Sequence, residues 1–388
     1  MREGTFQWMK SVNRSIILNK IRTDAPISRA QIAKETKLTP PTVSSNVKSL
    51  IEEGVVVESE LGESQGGRKP TMLLINDEAF YVIGTDAGPT KIECVIADLA
   101  GNIHTRNSIA LTVPITNDEF LIKLTKCIRE LIAAATIDTD KLIGIGVAMH
   151  GVVDVETGTS LIAPNLGLTN IPIKAVMEEE FRLPVKVEND ARVMALGEAW
   201  FGNHEVMDNM LAVNVGRGVG AGIVVGGKLF HGANNIAGEI GHMTIDIHGE
   251  VCECGNRGCL QTFATGAAIA KRANLRMQHN NAITAEKVYE LALSGDHDCR
   301  EILEETGSII GVGLMNLIHI INPAKIVIGG GVMKSGKFIL PAIQKAIEKH
   351  ALTPEAKQTE VEITKLGDDA TIIGAVALVL VTIFEPTA

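Results

Sequence analysis

Between residues 242 and 259 one histidine and three cysteines occur in the order Gly-His, nine residues, then Cys-Glu-Cys-Gly-Asn-Arg-Gly-Cys. This stretch restricts the fold more than any other. His242, Cys252, Cys254 and Cys259 are the soft or borderline donors that close a tetrahedral Zn²⁺ site. Gly255 and Gly258 free the backbone to wrap round an ion, and four protein ligands leave no open coordination position. A bound Zn²⁺ would therefore be structural, shaping a loop without performing chemistry. Two other readings stay open at this point: a disulfide pair with a spare thiol, or cysteines with no joint role.

At 388 residues the chain is long enough for two or three domains with sizeable cores. No positively charged leader followed by an apolar run is read at its start, and no stretch of roughly 18 apolar residues is read within it. A cytoplasmic protein with no membrane partner is the expectation. Cys94, Cys127 and Cys299 lie far from the cluster. Bound metal in a reducing compartment fits this usage better than a disulfide framework, and the three outlying cysteines read as buried thiols.

The net charge of −10 argues against general nucleic-acid affinity, but the charge is unevenly spread. Residues 1–70 hold 11 Lys and Arg against 8 Asp and Glu, or +3, which leaves −13 for the remainder. Within this basic head, Ile17, Leu18 and Ile21 recur at helical spacing until Ala25-Pro26 breaks the run. Ser28 is placed to cap a second short helix carrying Ile32 and Ala33, Thr36-Lys37-Leu38 makes a turn, and Thr39-Pro40 opens a third helix. Val43, Val47, Leu50 and Ile51 share one face of that helix.

This is the helix-turn-helix plan with the later helix as reader. Ser28, Arg29, Thr39, Pro41, Thr42, Ser44, Ser45, Asn46 and Lys48 are the candidate DNA-contacting residues, short polar groups suited to base edges and phosphates. Val55 to Glu58 and Met72 to Ile75 read as strands flanking a basic glycine-rich tip, a wing that places Arg68 and Lys69 against phosphates or a minor groove. A three-helix protein-interaction module has the same pattern, so DNA contact does not follow from fold alone.

From residue 80 the chain alternates strands with helices. Tyr81 to Lys91 leads into Ile92 to Leu99 and then Gly101-Asn102, which reads as two strands joined by a turn, followed by a helix near Asp118 to Ala135 and a buried strand from Leu142 to Met149. A second set begins at Met210, with Gly216-Arg217-Gly218 between strands, a Gly226-Gly227-Lys228 hairpin turn, and Lys325 to Ile328 closed by three glycines. The repetition implies a duplicated α/β core with a cleft between its halves. Glycine turns beside such a cleft either cradle phosphates or simply permit tight hairpins.

Together these segments resemble the ROK family of repressors and sugar kinases. The resemblance rests on Glu239-Ile-Gly-His242 with Cys252-Glu-Cys-Gly-Asn-Arg-Gly-Cys259, supported by Asn189-Asp190, Asp86-Ala-Gly-Pro-Thr-Lys91 and Ile328-Gly-Gly-Gly331. It covers nearly the whole chain, and the leading winged helix-turn-helix looks like the repressor branch. Pro26-Ile-Ser-Arg29, Thr42-Val-Ser-Ser45, Gly66-Gly-Arg-Lys-Pro70 and Gly241-His-Met-Thr-Ile-Asp246 look most like xylose repressors, while glucose- and N-acetylglucosamine-responsive relatives share much of this.

The family implies an α/β fold: an N-terminal winged helix-turn-helix (1–76), then a two-lobed actin-like and hexokinase-like, ribonuclease H-like core. The lobes are expected at 77–200 and 201–388, the second with its zinc loop at 242–259. Sugar contacts are implied at Asn165, Asn189, Asp190, Glu239, His242 and Gln261, groups that can accept from or donate to hydroxyls. His242 would use one ring nitrogen for zinc and the other for sugar. In a kinase Asp190 would be the base that deprotonates the attacking hydroxyl.

Three departures oppose a kinase. Pro89 stands where family kinases carry a second glycine, removing an N–H from the first phosphate turn. Arg217 interrupts the second turn, where it would crowd a nucleotide or bind an anion. Gln261 replaces the usual sugar-binding Glu. The expectation is a non-enzymatic, sugar-responsive repressor of carbohydrate genes, with operator DNA and a small sugar (xylose, glucose or a relative) as partners. It would act as a homodimer, with higher pairing left open. The alternative is an ATP-dependent, glucokinase-like sugar kinase that keeps a DNA-binding head.

Overall fold

The computed structural model describes residues 12–61, 70–202, 208–277 and 283–384. They fall into two compact units, Met1–Asn189 with Ala375–Ala388, and Asp190–Gly374.

The first unit opens with α1 (Val12–Asp24), β1 (Ile27–Ser28), α2 (Arg29–Thr36), α3 (Pro40–Glu52), β2 (Val56–Leu61) and β3 (Thr71–Ile75), the strands ordered β1-β3-β2. Local chemistry sets these boundaries. Ser28 and Gln31 form a reciprocal capping box on α2, and Lys37 ends that helix in the left-handed region. Thr39 accepts from the Thr42 N–H at the start of α3, with proline in the first turn. At its other end Gly54 N–H donates to Ile51 O and Val55 N–H to Leu50 O, both at 2.9 Å, a Schellman closure. Ile17, Leu18, Ile21, Ile32, Val43, Val47 and Leu50 are fully buried, so the three helices share one small core. Arg68 and Lys69 of the expected wing tip lie outside the described residues.

The rest of this unit is a five-stranded sheet ordered β11-β7-β4-β5-β6, from β4 (Tyr81–Ala87), β5 (Lys91–Asp98), β6 (Ile103–Ala110), β7 (Leu142–Met149) and β11 (Val185–Asn189). β4 runs parallel to β7 and antiparallel to β5, and β7 runs parallel to β11. Helix α4 (Asn117–Ala134) begins at a Thr116/Glu119 capping box and buries Phe120, Leu124, Cys127, Ile128 and Leu131 against the sheet. A small antiparallel sheet, β8 (Val152–Asp154), β9 (Thr159–Ala163) and β10 (Leu168–Ile171), precedes α5 (Ile173–Phe181).

The second unit repeats this strand plan. Its sheet is ordered β14-β13-β12-β15-β16, from β12 (Asn209–Val215), β13 (Val219–Val225), β14 (Lys228–Leu229), β15 (Lys325–Gly329) and β16 (Glu360–Ile363). As in the first, the opening strand pairs antiparallel with the second and parallel with a later one. Gly226 and Gly227 take φ of 58° and 74°, the hairpin geometry their sequence implies. Helix α6 (Asp190–Phe201) lies on β12 and β13. Then come the short α7 (Gln261–Ala264), α8 (Gly266–Met277), α9 (Ala285–Leu293) and the 25-residue α10 (His297–Ile321), which packs along α11 (Gly336–His350). Helix α12 (Pro354–Lys357) is a single turn, and α13 (Ala370–Phe384) ends the described chain.

One expectation needs correction. Gly367–Phe384 is an 18-residue window apolar enough by length and composition to cross a membrane, against the expectation of no such stretch. The window is 61% buried within the protein, and its apolarity has a packing reason. Gly146 of β7 has no room for a side chain, since a Cβ there would fall 1.8 Å from the Ala375 carbonyl oxygen. Strand and helix therefore meet backbone to backbone, and the helix is buried by protein on the side that touches the sheet. The same helix meets the N-terminal head, where Ser15 Oγ donates to Ile383 O at 3.1 Å.

Candidate functional site

The cysteine and histidine quartet is assembled by a loop with little regular structure of its own. His242 ends a 3₁₀ turn, Ile240–His242. Two isolated bridges, Thr244 to Cys259 and Val251 to Arg257, fold the following residues back on themselves. Gly258, at φ +61°, sits where a Cβ would be 1.6 Å from Asp246 O, so only glycine lets the strands of this loop close. Cys252 N–H donates to Asn256 O at 2.7 Å and Gly255 N–H to Cys252 O at 2.9 Å, curling the Cys-Glu-Cys segment round its own sulfurs.

The four ligand atoms all lie within 4.8 Å of one another. Cys254 Sγ is 3.8 Å from Cys259 Sγ, and Cys252 Sγ is 3.8 Å from His242 Nδ1. Tetrahedral bonds of about 2.3 Å to sulfur and 2.0–2.1 Å to nitrogen require donor separations of about 3.6–3.8 Å. The donor set and spacing thus fit a four-coordinate metal, and all six cysteines, including these three, are free. Burial pushes the Cys259 thiol up to about 12, a cost that a bound cation would offset, while the Asn256 backbone amide holds the exposed Cys254 thiol below its usual value. Gln261 reaches this cluster, its Nε2 lying 3.3 Å from Cys252 Sγ.

Glu239 lies three residues before His242 and is half-buried. Burial raises its carboxyl above the ordinary value. The nearby His242 opposes that shift, Asp190 adds to it and Arg192 opposes it, so these groups share one electrostatic neighbourhood within the second unit. Asp190 is the first residue of α6, its Oδ1 accepting from Ala191 N–H at 2.9 Å. Arg192, which sequence reasoning passed over, is 2% exposed and donates to the carbonyls of Asn235 and Ala237. Its helical position carries no signal of this, because both partners lie more than forty residues away in sequence.

The remaining sugar candidates belong to the first unit. Asn189 ends β11, at the carboxyl edge of the parallel strands where α/β sheets present ligands, and its Nδ2 donates to Gly151 O at 2.9 Å. Asn165 is exposed on the 3₁₀ turn Pro164–Leu166. The two glycine turns are also built as hairpins. Pro89 falls between β4 and β5, and Arg217 is exposed between β12 and β13. There Gly216 N–H is already donated to Gly218 O at 2.9 Å.

On α3 the residues Pro41, Ser44, Ser45 and Lys48 are exposed, as is Thr39 at its cap, while Thr42 and Asn46 are half-buried. Thr39 and Thr42 hydroxyls lie 2.8 Å apart, and Asn46 Nδ2 donates to Thr42 O at 2.8 Å. Arg29 pairs with Glu58 of β2 at 2.8 Å, and Lys48 lies 3.8 Å from Glu52. Ser28 is 4% exposed and committed to capping α2.

Comparison with known proteins agrees with this architecture. The model of the ROK family matches residues 82–381, and that of a winged helix-turn-helix DNA-binding domain matches residues 14–57. The xylose repressor of Caldicellulosiruptor bescii is 32% identical over 97% of this chain and 97% of its own length. The crystal structure of a ROK family transcriptional regulator, a homologue of the Escherichia coli MLC protein, superposes with a TM-score of 0.85 at 28% identity, covering 97% of each chain. A ROK family glucokinase from Streptomyces griseus, in complex with glucose and AMPPNP, gives a TM-score of 0.68 at 30% identity, covering 77% of this chain and 98% of that one. With its winged helix-turn-helix and its actin-like and hexokinase-like α/β core, the chain belongs to the ROK family.

Proposed function

We propose that this protein is a cytoplasmic, sugar-responsive transcriptional repressor of carbohydrate-utilisation genes, with D-xylose the first effector to test. One observation carries the reading. A capped helix-turn-helix with an exposed polar face on α3 is joined to a core that keeps the carboxylates Asp190 and Glu239, while its phosphate turns carry Pro89 and Arg217. The likeness to the xylose repressor over nearly the full length supports it.

In this account a homodimer reads a palindromic operator. Thr39, Pro41, Thr42, Ser44, Ser45, Asn46 and Lys48 of each protomer face the major groove. Arg29, Arg68 and Lys69 add backbone or minor-groove contacts, and Ser28 caps the helix that carries Arg29. His242, Cys252, Cys254 and Cys259 would hold Zn²⁺, whose contribution is to fix the loop that carries His242 and to keep the three thiols ionised. With Nδ1 of His242 on the thiol side, Nε2 remains for a sugar hydroxyl. Asp190 and Glu239 accept from hydroxyls, and Gln261 links the sugar to the metal loop through Cys252. Asn165 and Asn189 are proposed as further sugar ligands. Bound sugar lowers operator affinity to the extent that it prefers the released state.

Phosphoryl transfer depends on positioning and charge stabilisation of phosphate. Pro89 supplies no N–H, and the Gly216 N–H is spent within its own turn, so the core is read as a degenerate kinase. A kinase remains the second reading because Asp190 is present and the glucokinase shares the fold. Thermal unfolding with D-xylose, D-glucose and N-acetyl-D-glucosamine, alongside ADP release with each sugar and ATP, separates the two. A rise in Tm without turnover is expected. Turnover that Asp190→Asn abolishes would replace the repressor reading with an enzyme, and no response to any sugar would remove the effector.

A further inference from the structure

Arg192 heads the large side chains that the fold buries almost completely, yet neither metal binding nor DNA reading uses it. It follows Asp190 by two residues on α6. Its guanidinium reaches across to the segment before Glu239. Nε and Nη2 both donate to Ala237 O at 3.2 Å, and Nη2 donates to Asn235 O. That segment is also held by β13. Ala221 N–H donates to Gly238 O at 2.8 Å, and Gly238, at φ +96°, leaves a Cβ only 1.9 Å from Ala221 O. Glu239 is the next residue. Its place relative to Asp190 is therefore set by the bonds that β13 and Arg192 both make to the residues just before it.

We propose that Arg192 is a positioning residue for effector recognition: its guanidinium grips the carbonyls of Asn235 and Ala237 and so holds Glu239 in register with Asp190 for the hydroxyls of a sugar. This rests on the reading of Asp190 and Glu239 as sugar-binding groups. The choice of residue fits the task. A planar fork with five donors can hold two carbonyls at a fixed angle, which a lysine's single ammonium cannot. A buried cation placed only to fill space could be exchanged for an apolar side chain of similar volume without loss of specificity. One that fixes a binding loop could not.

The test pairs Arg192→Met with Arg192→Lys in the full chain with its metal content measured. The first readout is amide hydrogen exchange across 235–239. The second is the Kd for whichever of D-xylose, D-glucose and N-acetyl-D-glucosamine the wild type binds. Positioning predicts that Arg192→Met speeds exchange in this segment by at least about tenfold, leaves β12 protected, and weakens sugar binding by at least about tenfold, with Arg192→Lys between it and wild type. Should Arg192→Met fail to fold, Arg192→Lys is expected to show both effects in smaller measure. Unchanged exchange at 235–239 would overturn the proposal, as would a Kd within twofold of wild type in a variant whose Tm has fallen. A wild type that binds none of the three sugars removes the sugar reading and with it the recognition role. In that case exchange at 235–239 still decides whether Arg192 holds the segment.

Discussion

Replacing Cys254 by serine isolates the contribution of the metal better than any other change to the quartet. Cys252 and Cys259 are 3% and 0% exposed, so their loss would mix packing with ligation. Cys254 is exposed, and serine there removes little except the soft donor. With Zn²⁺ about a thousandfold above its Kd, linkage gives the folded protein about 4 kcal/mol that a metal-free form lacks. For a unit the size of Asp190–Gly374 each kcal/mol moves Tm by about 2–4 °C, so the variant should melt about 8–16 °C lower. Calorimetry on samples of measured metal content provides the assay. Wild type stripped by a chelator should fall to the Tm of the variant, and the variant should ignore the chelator. The sugar response should weaken in parallel, because His242 and Gln261 both touch the metal loop. A variant that keeps about one zinc per chain and a full sugar response would refute the reasoning, as would a wild type whose Tm is indifferent to chelation.

Three further outcomes follow from individual residues. Lys48→Ala removes an exposed cation from the reading helix, so operator affinity should fall and the salt dependence of binding should flatten by about one unit of slope, measured by anisotropy across salt concentrations. Gly146→Ala forces a methyl to within 1.8 Å of the Ala375 carbonyl oxygen, and backbone cannot yield as a side chain can. It should cost about 3 kcal/mol or more, read as a lower urea midpoint. Burial raises the Glu239 carboxyl above its ordinary 4.5, so the folded state holds a proton that the unfolded state releases first, and stability falls as pH rises through that window. Glu239→Gln should therefore be more stable than wild type near neutral pH, with the difference vanishing below about pH 4. The same variant should lose sugar binding. Equal pH profiles for the two proteins would contradict the assignment.

Features fixed by neighbours in sequence were legible before the structure. Ser28 and Thr39 announce helix starts because a side-chain oxygen must meet a backbone N–H three residues on. The Gly226-Gly227 turn and the spacing of His242, Cys252, Cys254 and Cys259 are local in the same sense. What escaped depends on partners distant in sequence. β11 is a five-residue strand that takes its register from β7, and nothing in Val185–Asn189 alone specifies that pairing. Arg192 reads as an ordinary helix residue until the fold brings the carbonyls of Asn235 and Ala237 to it. The apolar run of α13 does not read as span-length in the sequence because the 18-residue window starts before the helix, at Gly367–Asp369, a 3₁₀ turn carrying two aspartates.

The most direct measurement is fluorescence anisotropy of a labelled fragment from the upstream region of the protein's own gene, titrated with the protein at fixed salt and then with D-xylose, D-glucose and N-acetyl-D-glucosamine. Saturable binding that one of these sugars reverses is expected, with the reversal lost in Asp190→Asn and Glu239→Gln while DNA binding persists. Binding that no sugar alters, or reversal that survives both substitutions, would contradict it.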